Sequence, residues 1–176
     1  MSSLRAVSPL VPFAAFVFAV AHVGFEYFSG GVKTHHFLAR ADLPGFSNWL
    51  GLFVLPLLGV VLAVRARSQQ GAQAGSILPP ALAAGTAGSL AYGAALAASF
   101  HFGLEQVSLV LFLGLLLCAI VLPVYRAEYV FGFVAGMTIV FGSVIPLAFA
   151  LFFGTISFAL RRAAAFVLSA RRRPRR

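Results

Sequence analysis

The sequence is poor in the side chains that a water-soluble surface requires. Only four of its 176 residues are acidic, and charged residues of both signs reach just 10%, against about one-quarter in ordinary soluble domains. That shortage excludes a soluble globular domain. A lone cysteine, Cys118, excludes an intrachain disulfide. There is no phosphate-cradling glycine loop, no G-x-S-x-G and no C-x-x-C, so nucleotide-loop, serine-hydrolase and dithiol chemistries have no motif here. An H-E-x-x-H helix and dense histidine boxes are missing as well.

What is present is apolar. Hydrophobic residues make up 61%, 19 of them phenylalanine, and the mean hydropathy is +0.98. One helical span takes about 20 such residues. The runs predict an all-α, polytopic transmembrane helix bundle of about five spans, over 9–28, 48–64, 80–101, 104–125 and 129–160. These form a single domain over 1–160, followed by a basic C-terminal tail over 161–176. Ala19-Val20-Ala21 resembles a signal-peptide cleavage triplet, but apolar residues continue through Val23, Phe25 and Phe28. That continuation favours an uncleaved first span over removal of residues 1–21.

The net charge of +9 is local. Seven of the 13 basic residues are Arg161, Arg162, Arg171, Arg172, Arg173, Arg175 and Arg176. The expected partner is the lipid bilayer, with anionic headgroups of the cytoplasmic leaflet at the tail. No nucleic-acid partner is expected, since the tail has neither a fold nor interleaved aromatics. Five spans place the two termini on opposite sides of a plasma membrane, or of an inner membrane if the source is bacterial. A cytoplasmic tail then puts the 29–46 connection on the cytoplasmic side too.

Small residues recur every four positions at Gly85, Ser89, Gly93 and Ala97, and His101 continues the series. Glu128, Gly132 and Gly136 repeat the spacing. Such stripes let helices approach closely, within one chain or between copies in an oligomer.

The histidines and acids carry what chemistry the sequence offers. His22 and Glu26 are four apart, as are His101 and Glu105, a spacing that puts each pair on one helix face. His35, His36 and Asp42 lie in the first connection. Ionisable groups in a membrane face the bundle interior and find partners, so His22, Glu26, His101 and Glu105 are expected to converge in one pocket at the cytoplasmic membrane edge. His35, His36 and Asp42 would form its lid. The four could act as catalytic acids and bases. With the three lid residues as secondary ligands they could instead hold Zn or Fe, and His22 with His101 could hold a b-type haem. The expected function is action on a small hydrophobic or lipid substrate by acid–base or metal-assisted chemistry. The alternatives are a small transporter or proton-coupled membrane protein, and a structural or assembly subunit in which these groups only bond helices together.

Overall fold

The computed structural model describes residues 9–36, 42, 45–69 and 77–171. The apolar runs form six helices: α1 Leu10–Phe28, α2 Gly51–Gln69, α3 Pro80–His101, α4 Glu105–Val121, α5 Ala127–Phe141 and α6 Val144–Arg171. Four of them are long and apolar enough to cross a membrane, while α4 and α5 are shorter apolar helices. Their outer faces carry Phe13, Phe53, Leu57, Val110, Leu117 and Phe152, all exposed. No soluble bundle presents such a surface, and lipid is the solvent that suits it. Between α1 and α2, two short strands, β1 Thr34–His36 and β2 Gly45–Ser47, pair antiparallel with His35 opposite Phe46.

The two small-residue stripes meet each other. A methyl group at Gly93 would lie 2.6 Å from the Phe133 carbonyl oxygen, and one at Gly136 would overlap the Leu90 carbonyl. Gly132 lies in the same way against Thr86 and Ser89. Backbone contact of this kind replaces the hydrophobic drive that lipid removes. The stripes therefore pack α3 on α5 within one chain. This seats α5 at the centre, and its 15 residues include buried Val130, Phe133, Val134 and Met137. At about 1.5 Å per residue α5 is shorter than a roughly 30 Å hydrocarbon layer. Its ends can be irregular because protein, not lipid, surrounds them.

The expected fifth span over 129–160 is two helices. The break falls at Gly142, whose φ is +66°, while Pro146 sits in the first turn of α6 where proline is tolerated. This corrects the topology. Six alternating helices bring α6's arginines to the α4–α5 turn, since Arg161 donates to the Val121 carbonyl at 2.7 Å. Arg65 at the end of α2 reaches Glu128 at the start of α5 on the same edge. The described parts of the first connection, 29–36 and 45–47, lie at the other edge with the α5–α6 junction, where Asn48 and His35 approach Gly142. The basic C-terminal segment and the histidine-bearing connection are thus on opposite edges, not on one. Residues 161–171 continue α6, and 172–176 lie outside the described residues.

Candidate functional site at the histidine edge

Helix α1 brings His22 and Glu26 inward together, on a face that also buries Ala15, Ala19 and Val23. The helix runs unbroken through Ala19-Val20-Ala21. It ends where Gly30 and Gly31 take φ values of +121° and +112°, backbone that glycine enters without a steric penalty. The chain then doubles back, and the Lys33 backbone N–H donates to Glu26 Oε2 at 3.2 Å. Lys33 also accepts from the Asn48 backbone N–H at 3.0 Å, which fixes the start of the 3₁₀ turn Asn48–Leu50 beneath the hairpin.

Asn48 is the hub. Its side chain is buried, and Nδ2 donates to Glu26 Oε1 at 2.8 Å while facing His35 Nε2 at 3.4 Å. Its Oδ1 lies against Gly142, leaving no room for a Cβ there. His22 Nε2 stands 3.7 Å from Glu26 Oε1. Beside the hub, the Ser143 hydroxyl is buried without a hydrogen-bond partner. A carboxylate that is only 5% exposed is therefore held by an amide and a backbone N–H, between two imidazoles.

The other buried carboxylate is built differently. Glu128 Oε2 accepts from Arg65 Nε at 2.8 Å, and its own carbonyl accepts from the Ser89 hydroxyl at 3.1 Å. The fixed guanidinium makes Glu128 a tie between α2 and α5. Glu26 has titratable imidazoles where Glu128 has arginine.

The expected four-residue pocket does not assemble. His22 and Glu26 are buried, but His101 and Glu105 are exposed, and the His101 ring packs edge-on to Phe102 with centroids 5.2 Å apart. The reason lies in the helical period. At about 100° per residue, sixteen residues from Gly85 to His101 drift about 160° around α3, so the stripe faces α5 at Gly85 and His101 points away. Among the described residues no group of three or more His, Cys, Asp or Glu side chains could hold a metal. With His101 and Glu105 exposed and His22 and Glu26 buried, neither the expected four-residue Zn or Fe ligand set nor the His22/His101 haem pair assembles. His35 joins the network, as its position in the first connection allowed. His36 lies at the end of β1 beside Gly45, and Asp42 is exposed. Asn48, Gly142 and Ser143 were not among the expected site residues. The one available sign of Asn48 was a polar amide heading an apolar run.

Burial pushes the His35 imidazole below its ordinary value of 6.5, and Lys33 and His22 push the same way, while the Glu26 carboxylate pulls it back up. The unfolded chain thus binds the proton more readily than the folded one between 6.5 and the lower folded value. Stability is full above that window and is lost as pH falls through it. Protection of the paired amides of Thr34–His36 and Gly45–Ser47 against hydrogen exchange, corrected for intrinsic rates, should fall below about pH 6.5. His35→Gln should flatten that response. A protection profile identical in both proteins would remove His35 as the cause.

Compared with known proteins, the chain matches no family model, no curated protein and no solved structure.

Proposed function

We propose that this is a proton-coupled membrane protein in which the Glu26–Asn48–His35 network, with His22, binds and releases protons at the non-cytoplasmic edge. The observation that carries the reading is the contrast between the two buried carboxylates: Glu128 has a fixed arginine, whereas Glu26 has two imidazoles and an amide. The mechanism follows from Asn48. With His35 neutral, its Nε2 can accept from the Asn48 amide. Once protonated, His35 can only donate, so donor faces donor and the amide must turn its oxygen toward the ring. Glu26 then loses its amide donor, and the group lying against Gly142 changes from oxygen to nitrogen. Proton binding is in this way linked to the α5–α6 junction, a break of the type that lines paths in transporters. Small-transporter chemistry suits such a link better than catalysis on a hydrophobic substrate, because the substrate-sized cavity described below lies toward the opposite edge.

The orientation rests on charge. Arg65, Arg67, Arg126, Arg161 and Arg162 belong to the edge opposite the histidines, and Arg5 and the five arginines of 171–176 flank helices ending there in sequence. Of the described basic residues only Lys33 belongs to the histidine edge, and Arg40 falls in the same connection in sequence. Positive residues mark the cytoplasmic side, so the basic edge and tail are cytoplasmic. In a Cys118→Ser background, an impermeant maleimide on intact cells should label Ser29→Cys and spare Ala72→Cys. The reverse pattern would place the proton site inside.

The test of function is infrared spectroscopy of the protein in lipid. A carboxyl C=O band that responds to pH should be absent from Glu26→Gln, while the fold persists because glutamine Oε1 still accepts from Asn48 or Lys33. In proteoliposomes the same variant should lose proton uptake. A pH response unchanged by Glu26→Gln would overturn the proposal.

A further inference from the structure

The half of the bundle nearer the basic edge contains a cavity of about 470 Å3 bounded by α3, α4, α5 and α6. Its volume falls within the roughly 300–1,000 Å3 of small-molecule sites. Its origin is local. Midway along α3 the Tyr92 hydroxyl donates to the Leu111 carbonyl and braces α4 against α3. Beyond that brace the α3 wall is Ala81, Ala84, Gly85 and Gly88, too small to reach Cys118 of α4 and Leu122 just past its end. Phe133, Phe149 and Phe153 close the back. Ala81, Ala84 and Gly88 are exposed, so the wall is open sideways, toward lipid. A Cβ on Gly88 would meet nothing within 4 Å.

The rim is cationic. Arg126 lies on the α4–α5 turn between the lining residues Val124 and Tyr129. Arg161 reaches from α6 to the Val121 carbonyl, next to lining Leu122, and Leu122 is itself tied to α6 by the Ser157 hydroxyl at 2.8 Å. The Arg161 Nε is shielded from solvent and has no acceptor. Arg162, one residue on, lies 5.3 Å over the Phe158 ring. Arg65 is consumed by Glu128, but Arg126, Arg161 and Arg162 have no carboxylate partner among the described ion pairs.

We infer that the cavity is a lipid site: it takes one acyl chain of an anionic glycerophospholipid, whose phosphate sits on the Arg126/Arg161 rim. A neutral apolar molecule would leave the rim unused, and a free phosphate would leave the cavity unfilled. The inference does not rest on the proton-coupled reading, since the two sites lie toward opposite edges and share no residue. Arg161 anchors the headgroup, because its unsatisfied Nε–H can donate to a phosphate oxygen while its terminal nitrogen keeps the Val121 carbonyl, and the cationic rim disfavours a headgroup that carries its own cation.

The test is photo-crosslinking of the full chain in nanodiscs containing phosphatidylglycerol with a diazirine in one acyl chain, beside the same chain carried on phosphatidylcholine. The phosphatidylglycerol probe should label peptides of α3, α4 and α6 that line the cavity. Gly88→Trp, at a position where a Cβ meets nothing within 4 Å, is expected to fill the open side of the cavity and abolish that labelling. Arg161→Gln should reduce it about fivefold, as loss of one basic residue at a lipid surface does, and leave the phosphatidylcholine signal unchanged. Equal labelling by both lipids would overturn the headgroup assignment. Labelling of Phe13 and Phe53 to the same extent as the cavity, unaltered in Gly88→Trp, would overturn the site. Should Gly88→Trp fail to fold, the two-lipid comparison in the unmutated protein and Arg161→Gln decide alone.

Discussion

Arg65→Met is expected to destabilise the protein by about 1–3 kcal/mol, the cost of leaving a buried acceptor without its partner, and less than a fully buried ion pair would lose because the Arg65 side chain is 30% exposed. Glu128 is only 4% exposed, and its side chain is pressed against α3, where a Cβ on Gly85 would lie 2.9 Å from its Cγ. It cannot move out to water without separating α5 from α3. Without the Arg65 guanidinium, 2.8 Å away, the carboxylate must either stay charged and unpaired or take up a proton. Glu128→Gln in the same chain removes the charge, so Arg65→Met/Glu128→Gln should regain most of the loss. Urea or dodecyl-sulfate unfolding in mixed micelles measures both. A single-variant loss below about 0.5 kcal/mol, the range of ordinary surface substitutions, would mean that water reaches Glu128 and that the pair is not a structural tie.

The sequence made the bundle legible because apolar run length and the four-residue stripes are direct consequences of lipid as solvent. Gly85, Ser89, Gly93 and Ala97 announced a helix contact, and Glu128, Gly132 and Gly136 announced its partner. The pairing of the two stripes with each other needed coordinates. His22 and Glu26 were legible because four residues amount to about 40° of drift, little enough to keep both on one face. The same rule misplaced His101, where sixteen residues from Gly85 carried the stripe nearly halfway around the helix. Gly142 was harder to place for another reason. It is one glycine inside an apolar run of thirty-odd residues, and hydropathy does not distinguish a glycine that packs from one that turns. Missing it cost the topology, because adding one helix exchanges the edge assigned to the connection relative to the tail.

That glycine also carries the second large effect. Gly142→Ala is expected to destabilise the protein and to uncouple its pH response together. The residue has φ +66° and ψ −175°, a region essentially restricted to glycine, and holding another residue there costs about 1–3 kcal/mol. The added methyl would also overlap Asn48 Oδ1, so Asn48 must withdraw and Glu26 Oε1 loses the amide donor now 2.8 Å away. An unsatisfied buried acceptor costs about 1–3 kcal/mol more. The two contributions separate in a cycle with Asn48→Ala. In Asn48→Ala the junction backbone is unstrained but Glu26 is bare, and adding Gly142→Ala to it should cost the backbone term alone, since the overlapping oxygen is gone. Non-additivity of that size would show Asn48 and Gly142 acting as one unit. The infrared band of Glu26 should shift in Gly142→Ala as it does in Asn48→Ala, although Gly142 has no side chain and no contact with the carboxylate. If Gly142→Ala lowers stability yet leaves that band and the pH dependence of the hairpin unchanged, the α5–α6 junction is a passive break, and protonation at Glu26 is not transmitted to the helices.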